Sequence, residues 1–408
     1  MRSGPSELAR VVVTGLGPVA SIGTGIDAFA EGLRAGRSGI SRIRSFDPTG
    51  FPVLDAGEVH DFAPERMLRR LDPAAWGRSA TFAAAAARLA VADAGVDPDR
   101  VPAGRMGAVV GTTSGESQVV DQVTASIVEG GLAAMPVSLL ERLPAGRLAE
   151  AVSTELGLTG DTLTLATACS ASNYAIGYAF DALATGEADV MVAGGADSVC
   201  RWAHAGFYRL GALSDKGCQP FDRDRGGILT AEGGVALVLE TLGHARARGA
   251  RVYAEVLGYG VNCDAHHPVA PDAASIAECM RIAHENCSVK PADIDYICAH
   301  GTGTPSNDLA EAQAVREVFG DRPPPISSVK SMLGHTMGAA SGFGAVASVL
   351  AIVHGFLPPT INFTRPDPAM PWLDPVANAA RPARVRIAQN NGYAFGGNNA
   401  ITLFGEAP

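Results

Sequence analysis

Short apolar runs alternate with longer segments of helical spacing along most of this 408-residue chain. The runs are rich in β-branched residues and end at glycine, which is typical of buried strands in an α/β protein. The longer segments repeat apolar residues every three or four positions, as amphipathic helices do. Strands are predicted at residues 10–15, 106–111, 189–196, 235–240, 296–299, 326–329 and 401–404. Helices are predicted at residues 27–35, 64–71, 79–94, 242–249, 273–287, 309–319 and 330–353, and glycine-rich loops at 221–234 and 390–399.

One apolar segment, from Thr336 to Val353, carries no charged residue and is long enough to cross a membrane. It contains glycine and serine among many alanines, a composition that suits a helix packed by protein on all sides. We therefore expect a buried central helix and no membrane span.

The pattern of elements repeats along the chain. Arg88–Thr112 and Arg281–Thr302 each read as helix, turn, strand and Gly-Thr loop. A strand followed by a buried helix also occurs around Cys169 and again around His335. The repeat predicts two similar α/β halves, residues 1–250 and 251–408, whose central helices are sheltered by sheets.

Composition narrows the functional classes. Hydrophobic residues make up 47% of the chain, charged residues 18%, and alanine and glycine are abundant, so close approach of helices to backbone is expected. The net charge of −10 argues against nucleic-acid binding. The seven cysteines are odd in number and lack CxxC spacing, which favours a reducing, cytoplasmic location without disulfides or a zinc ribbon. Met1–Arg10 is polar and does not resemble a signal peptide.

Cys169 is the candidate nucleophile. It lies in TLTLATACSASNYAIGYAF, residues 162–180, where a Thr-rich strand leads directly into a helix. The positive end of the helix dipole favours a thiolate there, so a lowered thiol pKa is expected. Residue type alone would favour an ordinary buried cysteine.

Two histidines and three charged residues form a second group of candidates. His300 follows a strand in a Gly/Thr loop, where α/β proteins meet their ligands. His335 lies at the start of the uncharged segment and should stay neutral, as a hydrogen-bond donor. Lys330 would be costly to bury alone, and Asp308 and Glu311 are candidate counter-charges.

Phe395, Gly396 and Gly397 form a loop whose backbone N–H groups could face a developing oxyanion, although an ordinary glycine turn has the same sequence. His266 and His267 have no second cluster at metal-ligand spacing, so no metal is expected.

Four separated motifs together resemble the β-ketoacyl-acyl carrier protein synthases of the elongating Cys-His-His type. They are TACSAS at 167–172, AHGTGTPSND at 299–308, VKSMLGHTMGAAS at 329–341 and FGGNN at 395–399. The VVVTGLG and VMVAGGAD segments also match, so the resemblance covers nearly the whole chain. It implies the thiolase-like fold, a duplicated five-layer α-β-α-β-α structure.

The resemblance also implies the chemistry. Cys169 would accept an acyl group from acyl carrier protein, and His300 and His335 would bind a malonyl thioester and promote its decarboxylation. The enolate would attack the acyl-Cys169 thioester, with the N–H groups of Cys169 and Phe395 as the oxyanion hole. Substrates would travel on phosphopantetheine, and no cofactor is called for. Lys330, paired with Glu311 and near Asp308, would hold the histidines in place. Phe395 would act as a gate hinged at Gly396 and Gly397. Thr302 and Thr304 would bind the phosphopantetheine arm.

Departures from the family pattern surround the substrate. NNGYAFGGNN stands at 390–399 where the family usually has NSFGFGGTN. The loop FDRDRGGILTAEGG at 221–234 also departs from the form usual in the family. Val269 stands where a threonine often meets the pantetheine arm. Ser114 replaces a larger residue expected to shape the acyl pocket. These changes favour a synthase for polyketide or polyene chains, with housekeeping fatty-acid elongation by a homodimer as the alternative.

The expected partners follow from the same resemblance. Arg66, Arg69 and Arg70 lie on one predicted helical surface and could dock an acidic carrier protein, although a solvated face would look the same. The chain could form a homodimer or a heterodimer with a ketosynthase-like chain-length factor, and Cys169 would place it on the catalytic side. A thiolase is disfavoured because no cysteine follows Cys298. A scaffold or a decarboxylase that does not condense stays open.

Overall fold

The computed structural model describes residues 8–408. Most of the polar segment Met1–Arg10, which bears on the question of a signal peptide, lies outside the described residues. The strands are β1 Val11–Ala20, β2 Gly23–Thr24, β3 Ser41–Arg42, β4 Asp55–Ala56, β5 Met106–Gly111, β6 Thr162–Leu165, β7 Val190–Asp197, β8 Gly233–Thr241, β9 Ala254–Cys263, β10 Tyr296–Cys298, β11 Ile326–Ser327, β12 Phe356–Leu357, β13 Arg381–Pro382, β14 Ile387–Gly392 and β15 Asn398–Glu406.

The α-helices agree with most of the predicted amphipathic segments. They are α1 Ile26–Ala35, α2 Pro64–Met67, α3 Arg78–Ala94, α4 Ser117–Gly130, α5 Val137–Arg142, α6 Arg147–Leu156, α7 Ala171–Ala184, α8 Arg201–Arg209, α9 Leu242–Ala247, α10 Ala273–Asn286, α11 Pro305–Phe319, α12 Lys330–Leu333 and α13 Ala340–His354. Short 3₁₀ turns at Ala168–Ser170 and Met337–Ala339 lead into α7 and α13.

The sheet is built from two sets of strands with the same topology. One set runs β1-β8-β7-β5-β6 and the other β9-β15-β14-β10-β11. If the five strands of each set are numbered in chain order, both sets have the same spatial order: one, five, four, two, three. In both sets the fifth strand is antiparallel to its two neighbours and the remaining pairs are parallel. This identity of order and direction confirms the duplication expected from the sequence.

The first strands of the two sets, β1 and β9, pair antiparallel and join the two sets of five strands. The short strand β2 pairs with β1 and completes an 11-stranded sheet. Helix α3 packs on β1 and β8, and α10 packs on β9 and β15. Helices α7 and α13 pack against each other and against strands of both sets. The buried apolar residues accordingly form one central cluster around α7 and α13 and an outer cluster on each side. The result is the expected five-layer α-β-α-β-α arrangement.

Small residues allow the layers to approach closely. A Cβ on Gly15 of β1 would lie 2.1 Å from the carbonyl oxygen of Ala90, and one on Gly17 would lie 2.0 Å from that of Ala86. These distances are far inside van der Waals contact, so the alanine-rich helix α3 requires glycine beneath it. The packing confirms the close helix-to-backbone approach that the composition predicts.

The uncharged segment is a core helix, as predicted. The stretch Met337–His354 has a mean hydropathy of 1.6 and is long and apolar enough to cross a membrane, yet 83% of it is buried inside the protein. Residues from Ala340 to Ala351 are all buried, against both halves of the chain. Protein therefore supplies the apolar surroundings that the segment needs.

Two helix predictions were wrong in extent. The segment 330–353 breaks after Leu333 because Gly334 has φ 78° and the N–H of His335 donates to the carbonyl of Leu229 instead of continuing the helix. In the segment 64–71, helix α2 ends at Met67. Beyond it, the N–H groups of Arg69 and Arg70 donate to the carboxylate of Glu155.

The glycine-rich end of the chain also differs from its prediction. The predicted loop 390–399 is partly strand, because β14 continues to Gly392 and β15 begins at Asn398. Strand β9, Ala254–Cys263, was not predicted. It alternates buried and half-buried residues and is rich in glycine and polar residues, so its strand character depends on pairing with β15 and β1.

Candidate active site

A cavity of about 190 Å³ opens beside the carboxyl ends of β6, β10 and β14. This edge of a parallel α/β sheet is where ligands usually bind. Nine of the residues singled out in the sequence line it: Cys169, His267, Val269, His300, Thr302, Thr304, His335, Phe395 and Gly397. Five others do not: Lys330, Glu311, Asp308, Ser114 and Gly396.

Cys169 lies in the sharp turn between β6 and α7. The preceding residue, Ala168, has φ 50°, a left-handed conformation that costs a non-glycine residue roughly 1 kcal/mol or more. Ser170 holds the turn, since its Oγ donates to the carbonyl of Thr167 at 3.0 Å and to that of Asn398 at 2.9 Å. The turn thereby places the thiol at the head of α7, only 5% exposed.

The predicted lowering of the thiol pKa was wrong for the free protein. Burial raises the pKa of Cys169 to about 11, while the nearby charge of Lys330 acts in the opposite direction. The backbone N–H groups of Phe395 and of Cys169 itself lie close enough to lower it as well. The loss of solvation outweighs the effects of Lys330 and the N–H groups, because protein encloses α7 and its turn. Cys169 is therefore a protonated thiol at neutral pH.

His300 and His335 face each other across the cavity, with ring centroids 5.8 Å apart and planes at 82°. Both are buried, and burial together with the charge of Lys330 holds the pKa of each ring well below 6.5. The N–H of Met337 donates to Nδ1 of His335 at 3.1 Å, so the proton of that neutral ring belongs on Nε2. His335 can therefore donate from Nε2, in the neutral form that the sequence predicts, although burial and Lys330, not a helix N-terminus, lower its pKa.

Lys330 is buried behind His300. Its Nζ donates to the carbonyl oxygen of His300 at 2.6 Å and lies 3.5 Å from Nδ1 of the same ring. A donor at Nδ1 leaves the proton of His300 on Nε2, as in His335. Burial lowers the pKa of Lys330, whereas the charge of Glu311 raises it.

The predicted ion pair between Lys330 and Glu311 is not formed. Glu311 instead accepts from the N–H groups of His300 at 2.9 Å and Gly301 at 2.7 Å, and from Nδ2 of Asn391 at 2.9 Å. Burial raises the pKa of Glu311 to about 7. The carboxylate fixes the backbone of the histidine loop, which is a role that counting charges in the sequence does not reveal.

Asp308 fixes the next part of the same loop. Its carboxylate accepts from the N–H groups of Thr302 at 3.0 Å, Gly303 at 3.2 Å and Phe221 at 2.8 Å. The nearest cation is Arg225, at 3.8 Å. The hydroxyls of Thr302 and Thr304 bond to each other at 2.8 Å beside the cavity.

Phe395 forms one wall of the cavity mouth. It is 38% exposed and packs against Phe207 with ring centroids 5.9 Å apart. The following glycines have φ of 83° and 78°, both left-handed, which suits glycine and explains why the chain can turn sharply there. A glycine turn beside a half-exposed aromatic ring is compatible with the gate that the family resemblance implies.

The remaining candidates lie outside the cavity lining. The N–H of Ser114 donates to the carboxylate of Asp197 at 3.1 Å. Arg66, Arg69 and Arg70 are exposed, and Arg70 lies 3.8 Å from Asp99. Between residues 8 and 408, no group of histidine, cysteine and carboxylate side chains is arranged to hold a metal ion.

Two site residues were missed in the sequence. Tyr393 lines the cavity with its ring 5.5 Å from that of His300. Asp197 is buried at the end of β7 and accepts from the N–H of Thr113 at 2.8 Å and of Gly338 at 2.7 Å. The sequence contained a signal for the first, because NNGYAFGGNN departs from the family pattern at this residue. Asp197 lies in the segment VMVAGGAD, which matches the family pattern, so nothing in the sequence marked it as a residue of the site.

Family models match the two halves of the chain. The β-ketoacyl synthase N-terminal domain matches residues 8–245, and the β-ketoacyl synthase C-terminal domain matches residues 253–364. The chain belongs to the β-ketoacyl synthase family. It is 36% identical to 3-oxoacyl-[acyl-carrier-protein] synthase 2 of Synechocystis, over 98% of each chain. It is also 36% identical to Nodulation protein E of Rhizobium meliloti, over 97% of this chain and 98% of that protein.

Solved structures of other β-ketoacyl synthases share the fold. The ishigamide ketosynthase/chain length factor is 49% identical with a TM-score of 0.97, over 98% of this chain and 100% of that chain. A type II PKS ketosynthase in complex with its acyl-carrier protein is 30% identical with a TM-score of 0.90, over the same shares. The synthase described here is therefore a condensing enzyme of the acyltransferase type.

Proposed function

We propose that this β-ketoacyl synthase extends an acyl chain held on Cys169 by two carbons from malonyl-acyl carrier protein, in a type II polyketide or polyene pathway. The observation that carries the proposal is one cavity containing a thiol and two neutral histidines that both present Nε2–H. The pathway is supported by the identity of 49% to the ishigamide ketosynthase/chain length factor, against 36% to a 3-oxoacyl-[acyl-carrier-protein] synthase.

The first half-reaction moves the acyl chain to Cys169. The sulfur attacks the thioester carbonyl, and the N–H groups of Cys169 and Phe395 hold the resulting oxyanion. The C–S bond to phosphopantetheine then breaks. Because both histidines already carry a proton on Nε2, the proton of the thiol passes to the leaving phosphopantetheine sulfur.

The second half-reaction makes the carbanion. The malonyl carbonyl oxygen accepts from Nε2–H of His300 and His335, and the bond to the carboxylate breaks to release CO₂ and an enolate. The enolate carbon attacks the acyl thioester, a C–C bond forms, and the sulfur of Cys169 leaves as a thiolate. This thiolate takes up one proton from solvent, which restores the resting thiol. Neither half-reaction requires an electron acceptor, a reductant or a metal. The proposal therefore names no cofactor beyond the phosphopantetheine arm of the carrier protein.

The other site residues support these steps. We assign Lys330 to hold His300, and Glu311 and Asp308 to hold the backbone of the histidine loop, because those are the groups they bond. Thr302 and Thr304, at the cavity, suit the amides of the pantetheine arm. Phe395, turning on Gly396 and Gly397, suits a gate at the mouth.

The test is incubation with acyl-carrier protein carrying an acyl chain, followed by malonyl-carrier protein. We expect mass spectrometry to locate the acyl chain on Cys169 and then to show a product longer by two carbons. Cys169→Ala is expected to abolish both signals, whereas Cys287→Ala, at the far end of α10, should keep them. Decarboxylation of malonyl-carrier protein without extension, or an acyl label on another cysteine, would refute the proposal.

We also propose that the partner subunit is a ketosynthase-like chain-length factor. Val128, Leu132 and Val137, around α4 and α5, are 79%, 77% and 70% exposed, which is unusual for large apolar residues and marks a contact surface. Strand β6 of the described sheet pairs with β5 alone and leaves its outer edge open. The likeness to the ishigamide ketosynthase/chain length factor supports this partner over a second copy.

A further inference from the structure

Asn307 is a cavity residue to which the proposed mechanism assigns no role. It lies in the first turn of α11, Pro305–Phe319, and lines the cavity. Only 8% of the residue is exposed. Asparagine is mostly found at protein surfaces, and its side chain has both a donor and an acceptor. Its burial at a cavity wall therefore raises the question of what each of these two groups binds.

The nitrogen of the Asn307 amide is held by the protein. Nδ2 donates to Oδ1 of Asp308 at 3.1 Å. The same oxygen accepts from the N–H groups of Thr302 at 3.0 Å and of Gly303 at 3.2 Å. Because this carboxylate oxygen acts as an acceptor for two backbone N–H groups, the amide must turn its nitrogen, and not its oxygen, towards Asp308.

The oxygen of the amide is open. Oδ1 of Asn307 accepts no hydrogen bond from residues 8–408, and it is not one of the unpartnered polar atoms that protein encloses completely. Since the residue lines the cavity and its nitrogen is directed at Asp308, the accessible surface of Oδ1 belongs to the cavity. An amide oxygen can only accept a hydrogen bond. A ligand that displaces water from this oxygen must therefore bring an N–H or O–H group, or leave the oxygen unpaired.

Two hydroxyl groups beside Asn307 complement this acceptor. Oγ1 of Thr302 lies 2.8 Å from Oγ1 of Thr304 and 3.5 Å from the Asp308 oxygen that binds Asn307. Groups that contact one oxygen are neighbours, so the amide lies next to the two threonines that suit the pantetheine arm. The hydroxyls can donate to carbonyl groups of that arm, whereas Asn307 can accept from its N–H groups.

We propose that Oδ1 of Asn307 accepts a hydrogen bond from an amide N–H of the pantetheine arm. The inference rests on the proposed function, because that function brings the arm into the cavity. Pantetheine contains two amides, and each has an N–H donor and a carbonyl acceptor. The threonines serve the carbonyl groups and Asn307 serves an N–H, so the cavity recognises an amide chain and not merely a chain of that length.

The test replaces the N–H of the arm by oxygen. Carrier protein is loaded with an acyl-pantetheine arm that has both amides, or with an arm in which one amide, near or far from the sulfur, is an ester. The measured quantity is kcat/KM for acyl transfer to Cys169. We expect one of the two replacements to lower it about fivefold in the unmodified enzyme, as for the loss of one neutral hydrogen bond. In Asn307→Ala, which has no acceptor, the same replacement should change it by less than about twofold.

This comparison distinguishes contact with the arm from a structural role. If Asn307 only supported Asp308, Asn307→Ala would slow transfer from every arm by the same factor and would still discriminate between amide and ester. That outcome would overturn the inference. Equal rates for all arms in the unmodified enzyme would overturn it as well.

Asn286→Ala is the matched control. Nδ2 of Asn286, at the end of α10, donates to the carbonyl of Tyr259 at 2.9 Å, and the residue does not line the cavity. This variant should discriminate between the arms as the unmodified enzyme does. Absence of acyl transfer to Cys169 from the arm with both amides would instead refute the proposed function itself.

Discussion

At the scale of single residues, the site performs its chemistry with neutral groups. The thiol of Cys169 is protonated, and the pKa of each histidine is held well below 6.5 by burial. Both rings have their Nδ1 occupied by a donor, which fixes the proton on Nε2. The cavity is thus preorganised to stabilise negative charge that the substrate generates.

This protonation state predicts the pH dependence of malonyl decarboxylation by the acyl-enzyme. A histidine with a lowered pKa loses its neutral form only when the pH falls below that lowered value, so the histidines should cause no loss between pH 8 and 6. Glu311, whose pKa is raised to about 7, does titrate in this range. We therefore expect the rate of Glu311→Gln, whose amide cannot titrate, to be flat from pH 8 to 6.

The informative comparison is the rate profile of Glu311→Gln beside that of the unmodified enzyme. Any decline of the unmodified enzyme near pH 7 should disappear in the variant. A decline that persists in Glu311→Gln with an apparent pKa near 6.5 would contradict this assignment, because it would come from a histidine or from Asp197, whose pKa burial raises to about 6.

At the scale of elements, the sequence pattern predicted those strands and helices whose formation depends on residues close together in the chain. Strand β5 and helix α1 were predicted almost to the residue, because their apolar periodicity and terminal glycines are unambiguous. Strand β9 was not predicted, since its pairing with β15 lies more than a hundred residues away in the chain. The break before His335 escaped prediction for the same reason, because it depends on a bond to Leu229.

The candidate site shows the same division. Cys169, His300 and His335 were found because their motifs are contiguous in sequence, and the structure brings them into one cavity. The protonation of Cys169 and the partners of Lys330 and Glu311 were predicted wrongly. Both depend on how completely neighbouring elements exclude water and on which backbone N–H groups lie nearest, and neither quantity can be read from spacing alone.

At the scale of the whole molecule, charge and exposure determine how the synthase meets its partners. The chain has a net charge of −10, so an acidic carrier protein needs a local basic surface. Arg66, in helix α2, and Arg69 and Arg70, whose backbone N–H groups are anchored to Glu155, provide one outside the cavity. Because the backbone carries the structural bonds, the side chains can change without loss of the fold.

Reversal of charge at this surface is therefore a clean test of docking. We expect Arg66→Glu with Arg69→Glu to raise KM for acyl-carrier protein several-fold with little change in kcat, and added salt to reproduce the effect in the unmodified enzyme. Arg100→Glu, an exposed arginine paired with Asp97, serves as the control. Unchanged kinetics in the double variant would remove these arginines from the docking surface.

The exposed apolar residues around α4 and α5 predict a heterodimer with a chain-length factor. Purified from its native source, the synthase should elute with a second, ketosynthase-like polypeptide in equal amount. Leu132→Glu, placed on the exposed surface, should reduce the mass measured by light scattering from that of a dimer to that of one chain while leaving the circular dichroism spectrum unchanged. A native preparation containing one polypeptide species would contradict the heterodimer.

The duplicated topology contains the turn before α7 twice. Met337, with φ 52°, is the counterpart of Ala168, with φ 50°, so Gly338 occupies the position that Cys169 has in the first half. A Cβ on Gly338 would lie 2.4 Å from the backbone of Thr112, which leaves no room for any side chain there. On the proposed mechanism each subunit therefore has one point of attachment, Cys169, and holds one acyl chain at a time. Each condensation leaves the lengthened chain on the carrier protein, so the subunit must be loaded again before the next extension.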